Sequence, residues 1–318
     1  MSYKGLDQRK REVKLLLERV KTILSRNSYS FEVLNYPSSY RERSIDLVAT
    51  KDGNKLLLRI RLGIKNLQRD EVNDLINAAS AIDAVPLILN DEVTYDNVVH
   101  EKEGIYVVSE KTLNNILRGS PDVFLIQRKN SLYIKISSKK LERIKKERGL
   151  SLGELALNSG VSRRMIFDYL RSDSNVSLEV AERLIDVLGE DIIEPITMES
   201  LKSGFTRAAP DTTTESNKLL ELLELDKDKT IAYRISKSAP DFIVLTKDGC
   251  ELSFVIEGDV SKVTLKDVVR KILETEKLTR IIPSDIKTVL ERDIKNVVLD
   301  ELSVCGTNLN KITIIGNK

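Results

Sequence analysis

Ser151 stands three residues before Glu154, the apolar pair Leu155 and Ala156 follows, and then come Gly160 and Ser162. This order of cap, short helix, corner and second cap constrains the fold more than any other feature of the chain. A serine oxygen can accept from a free amide of the first helical turn while the glutamate three places on reaches back to the cap, so a helix starts near Leu152. Gly160 supplies the positive φ that a tight corner needs. Val161 then enters the core and Ser162 caps the next helix, which Ile166, Tyr169 and Leu170 hold down at intervals of three and four. Upstream, Leu141 and Ile144 stand three apart among charges from Lys139 to Arg148 before Gly149 stops that helix. Downstream, Ser177 opens a fourth helix whose expected buried stripe is Leu178, Ala181, Leu184, Ile185 and Leu188. Two short helices meeting at a tight turn inside a small bundle make a helix-turn-helix.

With that core assigned, Arg163, Arg164, Met165, Phe167, Asp168 and Arg171 point outward from the recognition helix, residues 162–172. Such a helix presents its N-terminal residues to base edges in the major groove, and a guanidinium can bond two acceptors on guanine. The expected DNA-contacting set is therefore Lys139, Lys140, Lys145 and Lys146 on the backbone, Ser162 as cap, Arg163, Arg164 and Arg171 on bases or phosphates, and Met165, Phe167 and Asp168 beside them. Phe167 suits a thymine methyl. Residues 139–171 hold nine cations against four anions, whereas from Asp173 to Glu194 Arg183 alone faces seven carboxylates. The unit is polarised, with its basic side suited to phosphates. The plainer reading is a helical bundle whose charges only solvate its surface.

A chain of 318 residues with net charge +2 accommodates two or three domains, and its basic character is local rather than general. The boundaries read as an α/β domain at 1–133, the helix-turn-helix domain at 134–200, a linker at 201–216 and a second α/β domain at 217–318. Two cysteines, Cys250 and Cys305, fall in no metal-ligand spacing, and no apolar run has membrane-spanning length. A reduced cytoplasm is the expected compartment, without a membrane partner. Scarce glutamine, with only Gln8, Gln68 and Gln127, and abundant lysine and glutamate suit a heat-loving source.

The first flank opens with Val13, Leu16, Leu17, Val20 and Leu24 on one helical face. Strands are expected at 30–34, 44–50, 55–62, 85–89 and 105–109, with a helix at 69–82. The second flank repeats the order, with a helix at 218–225, strands at 230–234, 241–246 and 251–256, a helix at 265–273 and a strand at 281–282. Thr50-Lys51-Asp52-Gly53 recurs literally as Thr246-Lys247-Asp248-Gly249, and both copies have an upstream acid, Asp46 and Asp241. An internal duplication accounts for this, although turn chemistry alone could repeat four residues.

An acid opening a hairpin resembles the core of restriction-endonuclease-like nucleases, where an Asp and a downstream Glu-x-Lys hold a metal that activates water. Here the second strand carries Arg59, Ile60 and Arg61 instead, a pairing that repels a metal. In the second copy Asp241 faces Val255, Ile256, Glu257, Gly258 and Asp259 without the lysine. His100, the sole histidine, has no partner imidazole, Cys250 suits a partly buried hydrophobe, and no phosphate-cradling glycine loop occurs. No catalytic residue, metal or cofactor is expected.

Over nearly its whole length the chain resembles the archaeal family of HTH-type transcriptional regulatory proteins, in which a central Cro/phage-repressor-type domain lies between two α/β flanks. The resemblance rests on Ile45-Asp46-Leu47-Val48-Ala49, Leu57-Leu58-Arg59-Ile60, Ile64 and Leu67, Ser151-Leu152-Gly153-Glu154-Leu155-Ala156, Gly160-Val161-Ser162-Arg163 and Ser238-Ala239-Pro240-Asp241-Phe242. Departures are Asp241 ahead of the aromatic, and Leu170 and Ser172 where many repressors carry Glu and Gly. The resemblance implies α/β plus all-α architecture, a helix-turn-helix bundle between two related, degenerate restriction-endonuclease-like domains, and sequence-directed binding of double-stranded DNA. One such unit reads a half-site, so a homodimer is expected through the flanks. The competing functions are a metal-dependent nuclease acting on DNA and a protein-interaction scaffold. The flanks are expected to serve dimerisation or sensing, and a small-molecule effector stays open with no residue that supports one.

Overall fold

A computed structural model describes residues 3–63, 67–91, 95–247, 249–255, 262–307 and 312–317. The chain divides into two units, one made of residues 1–88 with 205–318 and the other of 89–204. Residues 1–88 of the first flank and the whole second flank therefore belong to the first unit, and residues 89–133, expected in the first flank, fall in the second.

Val13, Leu16, Val20, Ile23 and Leu24 recur every three or four residues and bury one face of α1 (Tyr3–Arg26). It is followed by β1 (Ser30–Val33), β2 (Leu47–Lys51), β3 (Asn54–Arg61), α2 (Arg69–Ile82) and β4 (Ala84–Asn90), with the four strands in sequence order across the sheet. Strands β2 and β3 run antiparallel through Asp52 and Gly53, whose φ values of 50° and 80° give the primed turn that suits strand twist.

The second unit contains β5 (Val98–Lys102), β6 (Ile105–Val108), α3 (Glu110–Arg118), β7 (Leu125–Arg128) and β8 (Ser131–Ile136). Next come α4 (Ser138–Glu147), α5 (Leu152–Ser159), α6 (Arg163–Arg171), β9 (Ser174–Ser177), α7 (Leu178–Leu188) and α8 (Met198–Gly204). Its strands lie in the order β6-β5-β7-β8-β9. The helical unit is thus not a free-standing bundle, because β9 leaves α6 and pairs antiparallel with β8. Ile134, Ile136 and Val176 of those strands share one core with Leu141, Ile144, Leu155, Val161, Ile166, Leu184 and Leu188.

The second flank is α9 (Thr214–Leu222), β10 (Ile231–Arg234), β11 (Phe242–Leu245), β12 (Cys250–Val255), α10 (Lys262–Thr279), β13 (Ser284–Glu291), α11 (Arg292–Val304) and β14 (Ile312–Asn317). Its sheet order, β10-β11-β12-β13-β14, repeats that of the first flank and adds one strand. The strand expected at 281–282 lies at 284–291 instead, and Ile281 and Ile282 are buried in the turn before it. The expected linker is also shorter than 201–216, since α8 runs to Gly204 and α9 starts at Thr214. What remains is packed: Phe205 is buried, and the Ala208 amide donates to Ser80 Oγ at 2.8 Å.

Strand register supports the duplication and corrects the tetrapeptide match. Thr50 pairs with Lys55 and Leu245 pairs with Cys250, so each of these two pairs encloses four residues. Thr50 is then the counterpart of Leu245, and the literal Thr-Lys-Asp-Gly match is one residue out of step. Asp248 of that match lies outside the described residues.

The two copies lock onto each other reciprocally. Asp74 of α2 accepts from the backbone amides of Ser236 and Lys237 at 2.8 and 2.6 Å, and Glu274 of α10 accepts from the Asn35 amide at 2.7 Å. One turn further along each helix, Asn77 donates to the Arg234 carbonyl at 2.9 Å and Lys277 to the Val33 carbonyl at 3.4 Å. Leu34 and Ile235, the residues that follow β1 and β10, make matching backbone bonds to Asp46 and Asp241. The same helical positions of each copy thus grip the same loop of the other, the pattern of an isologous interface. Asp74 is 2% exposed, and burial pushes its carboxyl above the ordinary range while the two amides pull it back. Asp74→Ala, which leaves two amides without an acceptor, is expected to cost about 3 kcal/mol in urea unfolding.

Candidate nucleic-acid interface and the filled nuclease cleft

Each helix of the central unit begins on a serine that caps it. Ser137, Ser151, Ser162 and Ser177 accept from the amides of Lys140, Glu154, Met165 and Val180, and Glu154 completes a capping box at Ser151. Gly160, at φ 62°, turns the chain between α5 and α6. Ser162→Ala is expected to lower the melting stability by about 1 kcal/mol through the missing cap, with no change in the salt dependence of DNA binding.

Ile166 is fully buried and fixes the roll of α6, leaving Arg163, Arg164, Met165, Phe167, Asp168 and Arg171 exposed. Met165 and Phe167 are 41% and 50% exposed, unusual for large apolar side chains without a partner in the fold. The Arg171 guanidinium lies 5.5 Å from the centre of the Phe167 ring, a cation–π contact that orders both. Tyr169 and Leu170 are half-buried against the core. Leu178 departs from its expected burial: at the first turn of α7 it is 37% exposed.

The four backbone lysines divide into two pairs. Lys140 bonds Glu194 at 2.9 Å and the Ile193 carbonyl at 3.0 Å, and Lys146 pairs with Glu142 at 2.9 Å. Lys139 and Lys145, like Arg163 and Arg164, form no ion pair among the described residues. Sequence reasoning missed the part played by Gly153. A Cβ built there would lie 3.1 Å from the Arg163 guanidinium, so the glycine lets that side chain cross the start of α5. Such a close approach between helices leaves no periodic signal in a sequence.

In the first flank the acid that would hold a nuclease metal is spent on an arginine. Asp46 and Glu71 are 3% and 2% exposed, and between them Arg59, 1% exposed, donates Nη1 to Asp46 and Nε to Glu71, both at 2.5 Å. Its Nη2 donates to the Tyr40 carbonyl at 2.7 Å, and Arg61 closes on the second oxygen of Glu71. Burial pulls the Arg59 pKa down, but the two carboxylates more than restore it and it lies above its ordinary value. A divalent metal does not fit residues arranged this way, since a fixed guanidinium takes the cation's place. In the second flank the Lys271 ammonium lies on Asp241. Its other expected acids, Glu257 and Asp259, lie outside the described residues. No cluster of three metal-ligating side chains occurs among the described residues. His100 sits half-buried on β5, its Nε2 without a partner among the described residues, and burial lowers its pKa. Cys250 is half-buried and Cys305 exposed, and no disulfide joins them. No helix among the described residues is long and apolar enough to cross a membrane.

Residues 141–194 match the helix-turn-helix family, and residues 13–122 match the PD-(D/E)XK superfamily domain. The class defined by fold and site is a helix-turn-helix domain carried by a chain with a PD-(D/E)XK-like domain. A protein of Sulfurisphaera tokodaii, named provisionally as an HTH-type transcriptional regulatory protein, is 33% identical over 282 residues, covering 86% of this chain and 90% of that relative. Similarly named relatives from Sulfolobus acidocaldarius (32% identical, 64% of this chain and 67% of the relative) and Aeropyrum pernix (27%, 89% and 88%) also match. The chain belongs to this archaeal family of HTH-type transcriptional regulatory proteins. No solved structure matches it.

Proposed function

We propose that the chain is a sequence-directed, DNA-binding transcriptional regulator that places α6 in the major groove. The observation that carries this reading is the pair Arg163 and Arg164, exposed on the first turn of a capped helix with no carboxylate among the described residues holding either. In this reading Arg163, Arg164 and Arg171 meet bases or phosphates, Lys139 and Lys145 hold the backbone, and Lys140 and Lys146 contribute less because carboxylates already engage them. Phe167 and Met165 offer apolar contact to thymine methyl groups. The filled cleft around Arg59 supports a regulator whose PD-(D/E)XK-like flank is structural rather than hydrolytic.

Two copies on a two-fold pair of half-sites would double the contact and fix the spacing. Because the flank faces grip each other within one chain, copies would meet through other surfaces. Two cysteines with no disulfide between them suit a reduced, cytoplasmic setting. The test is selection of bound fragments from genomic DNA. Enrichment of a common sequence by the full chain, abolished in Arg163→Ala with Arg164→Ala, is the expected outcome, and no enrichment would overturn the reading.

A further inference from the structure

The central unit is not the only basic surface. From residue 8 to 26, α1 carries seven cations, Arg9, Lys10, Arg11, Lys14, Arg19, Lys21 and Arg26, against Glu12 and Glu18. Together, α1 and residues 139–171 hold far more positive charge than the whole chain's +2, so everything else is net acidic. Basic charge is thus gathered onto two helical surfaces of an otherwise anionic molecule.

The side chains of α1 are ordered by the burial of its other face. Val13, Leu16, Val20, Ile23 and Leu24 face the core, which leaves Lys10, Arg11, Lys14 and Arg26 exposed to solvent across the outer half of the helix, with Glu18 among them. Lys21 is tied to Glu18 at 2.9 Å, but Lys10, Arg11, Lys14 and Arg26 make no ion pair or hydrogen bond among the described residues. In the second flank, by comparison, six cations, Lys227, Lys229, Arg234, Lys271, Lys277 and Arg280, each face a carboxylate. At 1.5 Å per residue, Lys10 to Arg26 spans about 24 Å, a length over which a duplex presents on the order of fourteen phosphates.

We infer that the outer face of α1 is a second nucleic-acid-binding surface, which holds the DNA phosphate backbone through Lys10, Arg11, Lys14 and Arg26 without reading sequence. It extends the function proposed above, since it assigns a DNA contact to the first flank. A polyanion with closely spaced charges fits unpaired cations in this arrangement, and binding releases condensed counterions. Leu15, 60% exposed between Arg11 and Lys14 on one side and Arg19 on the other, makes an anionic lipid surface the competing partner.

The experiment compares the full chain with a Lys10→Gln, Arg11→Gln, Lys14→Gln, Arg26→Gln variant on a mixed-sequence duplex across a salt series. The slope of log affinity against log salt should fall by about 0.9 for each phosphate no longer neutralised, roughly 2 to 4 in all, with affinity at low salt at least about tenfold weaker. Slope and affinity unchanged within twofold would overturn the inference. If the variant binds duplex normally yet no longer binds phosphatidylglycerol vesicles that the parent chain binds, the face reads membrane and the inference also falls. Should the fourfold variant melt early, Lys10→Gln with Lys14→Gln is read instead, and its slope should drop by about 1.8. A parent chain that binds no duplex sinks both this inference and the regulator reading. An unchanged α1 variant beside normal fragment selection sinks only the second surface.

Discussion

Arg59→Ala is expected to destabilise the protein by about 4 kcal/mol, more than any other single substitution proposed for this chain. Among the described residues the arginine alone bridges Asp46 and Glu71, and both acids are almost wholly buried. Without it, two carboxylates stay buried close together, facing repulsion as well as unmet hydration. Arg61 and Arg43 can answer only part of that charge, because they touch the outer edges of the cluster. Urea unfolding at pH 7 checks this, and a midpoint equivalent to less than about 1 kcal/mol of destabilisation would contradict the assigned role. Arg59→Lys should recover only part of the stability, since one ammonium cannot span two carboxylates and the Tyr40 carbonyl as a planar fork does. With magnesium or manganese present, neither variant is expected to cut DNA, and Asp46→Asn is the matched control.

Arg163→Ala with Arg164→Ala should weaken specific binding by about 4 kcal/mol, on the order of a thousandfold, if each guanidinium makes a bidentate contact to a base. Folding should be intact, because α6 is anchored by Ile166 and capped by Ser162 and neither arginine belongs to the core. Gel-shift titration on a selected fragment measures the weakening, and a circular dichroism melt confirms the fold. An affinity within threefold of the parent chain would remove α6 from the groove. The pair differs from Ser162→Ala, which should weaken the helix and leave in place the side chains proposed to face DNA, and from the α1 variant, which should change salt dependence and leave preference. Three different readouts therefore separate reading, scaffolding and backbone holding.

The parts of the fold that depend on neighbours in sequence were legible. Ser151 with Glu154, Gly160 and Ser162 each do in space what their spacing dictates, and α2 occupies the range its apolar pattern marked, Arg69–Ile82. Parts that depend on distant partners were not. Strand β9 has four residues, Ser174–Ser177, with little β character, and becomes a strand because β8 offers it a ladder. The repetition of Thr-Lys-Asp-Gly pointed to the right conclusion by a faulty route, since register places the two tetrapeptides a residue apart while α2 and α10 carry the equivalence. At the nuclease cleft the sequence showed Arg59 where an acid belongs, but the second acceptor, Glu71, lies on a later helix and carried no signal. Gly153 was visible only as a letter. Its close approach to Arg163 exists only once α5 and α6 are packed.

The handshake between the flanks, in which Asp74 of α2 and Glu274 of α10 each hold a loop of the other copy, has a consequence for how this molecule behaves when scarce. A pair of separate subunits falls apart on dilution, whereas partners tethered in one polypeptide meet at a millimolar-scale local concentration whatever the copy number. Being fused also frees the twins from identity: one half could settle on Arg59 and the other on Lys271, a divergence that a symmetric pair built from a single repeated subunit has no means of recording.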